Sequence, residues 1–362
     1  MEPSRVVLHV IPTLGIGGAE RQLVALVNKQ SELGIQVHVA LRRKGAFREL
    51  IKKDLIVVHE IGDYRGLDLR LMLNLVRLIK KIDPDVVQSW LPQMDIIAGI
   101  ACNISRVLWV ATERTSVQFY KTNRAPIANW LREKIVRFSD AIVANSDSGA
   151  EMWKAILPGK KNISKIRNMV DLEGIQESIS SKECGTNSSS YILVAGRLVK
   201  SKSIELIISA FERLPKAPTL RLRIIGNGPL EATITKRIND SRYHDRIELI
   251  TKDTVSWWGY LQTCRMFISM SHYEGNPNAV LEAMAGGCPL IVSNISAHHE
   301  ILDTNSALFV DLDKIEDLVK AIVNVDSEYS EALKRSSNAR ASVMKMTDTK
   351  MALEYESVYS NL

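Results

Sequence analysis

The stretch SHYEGNPNAVLEAMAGGCP at residues 271–289 places two glutamates across a junction between a loop and a helix. Glu274 and Glu282 are separated by seven residues, and apolar spacing predicts a helix over residues 279–285. Glu274 then lies in the loop and Glu282 about one turn into the helix. Backbone N–H groups of residues 275–279 are placed at the helix N-terminus, where they can hold an anionic group. Two glutamates that only cap a helix are the structural alternative.

Strand and helix patterns alternate along the rest of the chain. Short β-branched runs predict buried strands, and apolar residues at helical spacing predict helices. In the first half, strands are predicted at residues 6–11, 36–41, 56–61, 86–90, 108–112 and 141–144, and helices at 19–33, 69–82, 96–103 and 127–138. In the second half, strands are predicted at 191–195, 221–225, 247–250, 266–270 and 290–292, and helices at 204–214, 230–239, 279–285 and 345–362. This alternation predicts an α/β fold with two Rossmann-like, doubly wound parallel-sheet domains.

A change in composition predicts the domain boundary. The chain has 362 residues, more than one compact core usually supports. The segment SISSKECGTNSSS at residues 178–190 is polar, serine-rich and without periodicity, which is typical of a linker. We therefore predict an N-terminal domain at 1–172, a linker at 173–190, a C-terminal domain at 191–344 and a closing helix at 345–362.

The composition is that of an ordinary globular protein, with 46% hydrophobic and 24% charged residues. No run approaches the roughly 20 apolar residues of a spanning helix, and the start of the chain lacks the pattern of a secretory leader. We therefore predict a cytoplasmic protein, soluble or bound at a membrane surface. The four cysteines have no metal-ligand spacing, and three in apolar surroundings are predicted to be buried thiols in a reducing compartment.

Positive charge is concentrated in the first half of the sequence. Residues 1–172 carry a net charge of +9 and residues 173–362 carry −3. A basic domain suits an anionic partner such as a membrane surface, a phosphorylated acceptor or nucleic acid, although a solvated basic face needs no partner.

One segment of this basic half has the pattern of a surface helix. The segment KTNR at residues 121–124 precedes the predicted helix at 127–138. A mixed basic and apolar side of that helix carries Trp130, Leu131, Lys134, Ile135 and Phe138. The alternative is that this stripe packs on the parallel sheet, as flanking helices in such a fold do.

Three glycine-containing loops follow predicted strands, at the sheet edge where α/β proteins bind ligands. They are GIGGAE at residues 15–20, GRLVKSK at 196–202 and IGNGP at 225–229. Glycines allow close approach to a ligand, and Arg197 and Lys202 can converge on a diphosphate. The first loop lacks the GxGxxG spacing, and the sequence LRR, without an acidic residue, ends the second strand, which argues against NAD. Structural turns and ordinary surface cations remain the alternatives for each loop alone.

Together these segments resemble family 4 of the GT-B glycosyltransferases, a large retaining group with many bacterial polysaccharide and glycolipid enzymes. The resemblance covers nearly the whole chain, through GGAE, GRLVKSK, IGNGP, the EX7E string, SNISAHHEIL at residues 293–302 and YESVYSNL at 355–362. It implies two Rossmann-like domains facing a cleft, with the last helix returning to the N-terminal domain. It also implies transfer of a hexosyl group from a nucleotide-sugar to a glycan or lipid-linked acceptor, in surface polysaccharide biosynthesis.

The resemblance assigns roles to individual residues. Arg197 and Lys202 would bind the donor diphosphate, Glu282 the ribose, and Glu274 the transferred sugar. The segment near residues 250–252 would hold the base. The implied catalytic residues are Glu274, Arg197 and Lys202, and the implied donor-binding residues are Gly17, Gly18, Gly196, Asn227, Gly275, Asn276, Pro277, Asn278 and Glu282. Gln93 and Arg114 are placed on the acceptor or donor-sugar side.

Three positions depart from the pattern of the family. Gln93 stands near the place where a histidine is expected to contact the donor sugar. Ser203 replaces the usual glycine after Lys202, and the sequence NMVD at residues 168–171 replaces the commoner NG(V/I)D. These departures leave the proposed diphosphate site intact.

The mechanism implied for such retaining enzymes needs no obvious protein nucleophile, because the leaving diphosphate can accept the acceptor's proton on the same face of the sugar. The protein then positions the substrates and neutralises charge. No DxD-type clamp is present, so neither a metal nor a cofactor is implied, and no nucleic-acid partner is predicted. The alternatives are a GT-B sugar-nucleotide epimerase, a catalytically weak sugar-nucleotide-binding subunit and, least supported, an NADP oxidoreductase.

Overall fold

A computed structural model provides the structure of the chain. It describes residues 5–52, 54–64, 66–115, 126–180, 190–215, 220–251 and 257–362. The chain divides into two compact units. The first unit comprises Met1–Met169 with Asp348–Leu362, and the second comprises Val170–Thr347.

The first unit is built on a parallel sheet with strand order β3-β2-β1-β4-β5-β6-β7 in its described residues. The strands are β1 (Val6–Thr13), β2 (Gln36–Arg43), β3 (Ile56–Glu60), β4 (Val86–Ser89), β5 (Leu108–Glu113), β6 (Ala141–Ala144) and β7 (Ile163–Lys165). The helices that precede the second unit are α1 (Gly18–Glu32), α2 (Leu69–Ile82), α3 (Pro92–Ser105), α4 (Pro126–Val136) and α5 (Asp147–Ile156).

The second unit repeats this plan with strand order β10-β9-β8-β11-β12-β13, again parallel. Its strands are β8 (Tyr191–Ala195), β9 (Arg221–Ile225), β10 (Ile247–Ile250), β11 (Cys264–Ser269), β12 (Leu290–Ser293) and β13 (Leu308–Val310). Its helices are α6 (Leu172–Ser180), α7 (Ile204–Glu212), α8 (Glu231–Asn239), α9 (Asn278–Ala285), α10 (Ser296–His299), α11 (Ile315–Ser327) and α12 (Tyr329–Val343). The closing helix α13 (Asp348–Ser360) belongs to the first unit.

Each sheet is buried on both faces, which is why its strands are continuous apolar runs in the sequence. In β1, Val7 and Ile11 enter one hydrophobic core while Leu8 and Val10 enter the core on the opposite face. The strands of the second unit divide their side chains in the same way between two cores. The predicted doubly wound α/β architecture is confirmed.

The strand order fixes where a ligand can bind in each unit. In the first sheet, the connections leave in opposite directions from the neighbouring strands β1 and β4, and in the second sheet from β8 and β11. Loops at the carboxyl ends of such a pair diverge and leave a crevice. The loops that follow β8 and β11 are those that carry Lys202 and Glu274.

The structure corrects the predicted linker at residues 173–190. Its first part forms α6, and Ile175 of this helix is buried in a core of the second unit. This helix was not predicted because its sequence is rich in polar residues and contains only a few apolar side chains, which pack against the core. Residues 181–189 lie outside the described part of the chain.

The described residues include no helix long and apolar enough to cross a membrane. Cys102, Cys264 and Cys288 are buried thiols, as predicted, and Cys184 lies outside the described residues. The Sγ atoms of Cys264 and Cys288 are 2.8 Å apart.

Candidate functional site

Three loops at the carboxyl edge of the second sheet are joined by backbone hydrogen bonds. The N–H of Leu198 donates to the carbonyl oxygen of Asn227 at 2.8 Å. The N–H of His272 donates to the carbonyl oxygen of Ser201, also at 2.8 Å. The loops after β8, β9 and β11 therefore form one connected surface.

Glycines make this close association of loops possible. A Cβ on Gly226 would lie 1.9 Å from the carbonyl oxygen of Gly196, and a Cβ on Gly228 would lie 2.6 Å from that of Leu198. Both distances are shorter than any non-bonded contact, so these two positions require glycine. The IGNGP sequence is explained by packing of the loops against each other.

Lys202 and Glu274 meet in this connected surface as an ion pair. Ser271 also donates its hydroxyl to the same carboxylate oxygen of Glu274, at 2.7 Å. Burial alone would raise the pKa of Glu274, but Lys202 and the Ser271 hydroxyl hold that pKa below its ordinary value. The structure thus brings together two of the three residues predicted to be catalytic.

The backbone next to Lys202 explains one of the departures from the family pattern. Lys202 ends a short 3-10 turn, and the following residue, Ser203, has a φ of 48° and a ψ of 39°. This left-handed conformation costs roughly 1–2 kcal/mol for a residue with a Cβ. A glycine is the usual residue here because it adopts the same conformation without that cost.

Arg197 is exposed on the same loop and has no ion-pair partner among the described residues. Asn227 is exposed on the neighbouring loop. A free guanidinium beside the paired Lys202 leaves positive charge available to an anionic ligand. Of the segment predicted to hold the base, β10 ends at Ile250, and Lys252 lies outside the described residues.

Helix α9 presents its N-terminus at the same sheet edge. Its N-cap residue, Pro277, supplies no side-chain cap. The loop before it contains Gly275 and Asn276, and Asn276 is buried. Glu282 lies in the second turn of the helix and is only 6% exposed. Both glutamates therefore occupy the positions predicted for them, one in the loop and one on the helix.

His298 is a residue of this site that the sequence analysis did not single out. It is fully buried, and its Nδ1 donates to the carbonyl oxygen of Ser293 at 2.8 Å. Ser293 in turn accepts from the N–H of Ser271 and donates to its carbonyl oxygen. The available signal was a histidine a few residues after a predicted strand, within the segment SNISAHHEIL.

At the corresponding edge of the first sheet, the glycine loop leads into α1. Gly17 is the N-cap residue and, being a glycine, supplies no side-chain cap. The carboxylate of Glu20 folds back so closely that a Cβ on Gly17 would lie 2.3 Å from its Oε2 atom. Gly17 and Gly18 thus lie beside the switch point of the first sheet, with Glu20 folded over the loop.

Gln93 is held by contacts within the first unit. Its Oε1 accepts from Arg42 Nη1 at 2.8 Å, and its Nε2 donates to the carbonyl oxygen of Gly66 at 2.6 Å. Arg42 also pairs with Asp63, at 3.5 Å. Gln93, near the position where a histidine was expected, therefore links strand β2 to the loop that contains Gly66.

Arg114, at the carboxyl end of β5, has more capacity than Gln93 to bind a ligand at this edge of the sheet. Its guanidinium carbon lies 4.6 Å from the ring centroid of Trp90, and its Nη2 has no hydrogen-bond partner among the described residues. Burial lowers the pKa of the Arg114 guanidinium, and nearby Glu113 and Glu20 oppose this effect. A cation stacked on an aromatic ring with an unused donor can bind a polar group of a substrate.

Sequence comparisons cover both units. The model of the family described as Glycosyltransferase Family 4 matches residues 16–173, and that of Glycosyl transferases group 1 matches residues 176–342. The chain belongs to family 4 of the GT-B glycosyltransferases. The EX7E string and the cationic loop of this family member are the elements that meet at the switch point of its second sheet.

Curated relatives of this family 4 member include two enzymes that act on diphosphoundecaprenol-linked sugars. The Campylobacter jejuni N-acetylgalactosamine-N,N'-diacetylbacillosaminyl-diphospho-undecaprenol 4-alpha-N-acetylgalactosaminyltransferase is 26% identical, over 95% of this chain and 97% of that protein. The Escherichia coli UDP-Gal:alpha-D-GlcNAc-diphosphoundecaprenol alpha-1,3-galactosyltransferase is 24% identical, over 72% of this chain and 71% of that protein. The similarity of this chain to each relative extends over both of its units.

A solved structure supports the fold assignment. The crystal structure of Anabaena HepE in complex with UDP-glucose superposes with a TM-score of 0.87 at 16% identity, covering 99% of this chain and 100% of that chain. At this identity the similarity shows a common fold. The fold is GT-B, as the resemblance implied.

Proposed function

We propose that this glycosyltransferase moves a hexosyl group from a UDP-sugar to a glycan or lipid-linked acceptor, with retention of anomeric configuration, in surface polysaccharide biosynthesis. The observation that carries the proposal is the ion pair of Lys202 with Glu274 at the switch point of the second sheet, on the loop that also carries the exposed Arg197. The UDP-glucose complex of HepE supports a uridine donor. The diphosphoundecaprenol-linked acceptors of the two curated relatives support a lipid-linked acceptor.

In the proposed mechanism, the protein stabilises the charge that develops on the leaving diphosphate. Arg197 and Lys202 donate to its oxygens, and the N-terminus of α9 adds backbone N–H groups. Glu274 holds the transferred sugar and Glu282 the ribose through hydroxyl groups. The diphosphate oxygen accepts the proton of the acceptor hydroxyl on the face from which it departs. The α-linkages named for both relatives are those that retention gives from an α-configured UDP-sugar.

The epimerase and weak-binding alternatives are not favoured, because the relatives are transferases. Since two side-chain cations and a helix N-terminus can neutralise the diphosphate, we propose that transfer requires no metal ion. Activity is then expected to persist in EDTA.

A screen of UDP- and GDP-sugars by thermal shift tests the donor assignment, because a ligand that binds the folded state raises its melting temperature. A UDP-sugar is expected to give the largest shift. The stabilising donor is then incubated with a diphosphoundecaprenol-linked sugar, and product is detected by mass spectrometry. Turnover of the donor to a new sugar nucleotide without acceptor would indicate an epimerase instead.

We further propose that α4 docks on the inner face of the cytoplasmic membrane. The exposed fractions of Ile127, Trp130 and Phe138 are 80%, 56% and 64%. Lys134 Nζ lies 5.9 Å from the ring centroid of Trp130, and Arg137 is exposed next to Phe138. Ile127, Trp130 and Lys134 recur at helical spacing on α4, and Arg137 and Phe138 follow directly after its end, a mixture of apolar and basic side chains as in an interfacial helix.

The apolar side chains predicted to share one side of this helix differ in their exposure to solvent. Leu131 and Ile135 are half-buried, and Ile135 packs over Gly99 of α3, where a Cβ would lie 2.4 Å from its Cγ2 atom. Packing on the rest of the fold thus accounts for Leu131 and Ile135 but leaves Trp130 and Phe138 in solvent. The basic segment at residues 121–124 lies outside the described residues.

Sedimentation with vesicles that contain anionic lipid tests this membrane proposal. Binding is expected at low salt and should weaken as salt is added, since each surface Lys or Arg contributes about 1 kcal/mol. W130S/F138S is expected to bind less than the parent. L333S is the matched control, because it removes an exposed apolar side chain from the second unit. Binding that ignores lipid charge and salt, or is equal in all three proteins, would contradict the proposal.

A further inference from the structure

His298 is enclosed beneath the surface that carries Lys202 and Glu274. Since a carbonyl oxygen only accepts, the 2.8 Å contact with Ser293 places the ring proton on Nδ1. Nε2 is then the lone-pair nitrogen, and it is buried without a hydrogen-bond partner among the described residues. A buried nitrogen of this kind has an unused capacity to take up a proton.

The histidine is connected to Glu274 by both hydrogen bonds and charge. Ser293 binds His298 through its carbonyl oxygen and binds the backbone of Ser271 through its hydroxyl. The hydroxyl of Ser271 donates to Glu274. The charged or titratable groups that act on His298 are Glu274, Lys202 and His299.

The proposed function changes the charge balance of this network. Without a ligand, Lys202 neutralises Glu274. If Lys202 turns to a donor diphosphate, Glu274 keeps a negative charge with little access to water, which is costly unless another cation replaces the lysine. Histidine is the side chain that can acquire a positive charge near neutral pH.

We propose that His298 takes up a proton from solvent on Nε2 when the donor diphosphate binds, and so replaces Lys202 as the cation beside Glu274. The inference rests on the proposed role of Lys202 in donor binding. It makes His298 a positioning residue, which keeps Glu274 ionised and in place for the sugar while Lys202 serves the phosphates.

The charges around His298 determine whether donor binding takes up or releases a proton. In the free protein burial is the largest cause of the lowered pKa of His298, Lys202 and His299 lower it further, and Glu274 opposes them. Moving Lys202 onto the phosphate removes a repulsive charge, and the diphosphate adds an attractive one, so the pKa of His298 rises. A ligand that raises a pKa binds with proton uptake and binds more tightly as the pH falls.

Isothermal titration calorimetry with UDP-glucose measures this uptake when it is repeated in two buffers of different ionisation enthalpy. UDP-glucose has no phosphate that titrates near neutral pH, so the protons are taken up by the protein. The parent is expected to take up a fraction of a proton per site at about pH 7, and to bind severalfold more tightly at about pH 6.5 than at about pH 8.5.

The variant H298N removes the titrating nitrogen and retains an amide donor for the Ser293 carbonyl. It is expected to lose the proton uptake and most of the pH dependence of UDP-glucose affinity. H299Q is the matched control, because His299 is exposed, stacks on Phe309 and donates from Nε2 to Oδ1 of Asn294 at 2.7 Å. This control is expected to keep the uptake of the parent.

Equal proton uptake in the parent and H298N would overturn the inference, as would binding to the parent without uptake. The second result decides the matter even if H298N fails to fold. If the parent binds neither UDP-glucose nor GDP-mannose, the proposed function itself is contradicted and the inference falls with it.

Discussion

Glu274 and Glu282 belong to one sequence string but have different surroundings. Glu274 shares its carboxylate with Lys202 and Ser271, whereas Glu282 is buried in α9. Neutralising Glu274 removes the ion-pair partner of Lys202, which is proposed to bind phosphate, and weakens the acceptor proposed for the sugar. Neutralising Glu282 weakens the acceptor proposed for the ribose.

These surroundings predict different effects of two isosteric substitutions. E282Q is expected to weaken UDP binding by about tenfold, the effect of losing roughly 1.4 kcal/mol from a charged hydrogen bond. E274Q is expected to bind UDP at least as tightly as the parent and to lower turnover of the complete donor. Calorimetry with UDP and a steady-state assay separate the two. Equal losses of UDP affinity would refute this division of labour.

The site residues that could be predicted from the sequence are those that lie within a recognisable local motif. Arg197, Lys202, Glu274 and Glu282 each lie in a recognisable loop or string. His298 was missed because its role depends on contacts with segments more than twenty positions away, which no local pattern encodes.

At the scale of elements, a buried charge cluster joins α3, α4 and β5. Arg132 Nε donates to Asp95 at 2.6 Å, and its Nη1 donates to Glu113 at 2.8 Å, with all three side chains buried. Burial raises the pKa of Asp95 to about 6, against the attraction of Arg132. Because Glu113 precedes Arg114, this cluster also fixes the end of the strand next to the Arg114 guanidinium.

R132M is expected to destabilise the protein by about 3–5 kcal/mol at neutral pH, because it leaves two buried carboxylates without a cation. Burial already raises the pKa of Asp95, and loss of the Arg132 charge raises it further, so the loss of stability is smaller as the pH falls: a carboxyl with a raised folded-state pKa stabilises the fold below that pKa and loses this contribution above it. Urea unfolding at about pH 7.5 and pH 5 measures both effects. R137M, at an exposed arginine directly after the same helix, is the control. A loss that is equal at both pH values would contradict the account.

Most strands and several helices were predicted, but the helices α5, α11 and α12 and the shortest strands were not. Strands such as β1 and helices such as α2 appear where apolar spacing predicts them. The three-residue strands β7 and β13 were missed because so few residues carry no period. Helix α6 was predicted to be part of a linker because its sequence is mostly polar and only Ile175 is buried.

At the scale of the whole molecule, both units use the same architecture but present different charges at their carboxyl edges. The second unit presents the diphosphate candidates, and the first presents Arg114 and contains most of the basic part of the sequence, residues 1–172 with a net charge of +9. This division is consistent with a donor site in the second unit and an anionic or lipid-linked acceptor served by the first. The family could be identified from the sequence, while the identities of the sugar and acceptor depend on details of substrate contact.

The central claim is that Arg197 and Lys202 bind the donor diphosphate, and the most direct test is calorimetric titration of UDP into R197A/K202A. Each lost charged hydrogen bond is worth roughly 1.5–3 kcal/mol, so affinity should fall by about 100-fold or more. K200A, which removes an exposed lysine from the same loop, should stay within about threefold of the parent. UDP binding by R197A/K202A that is as tight as binding by the parent would contradict the account.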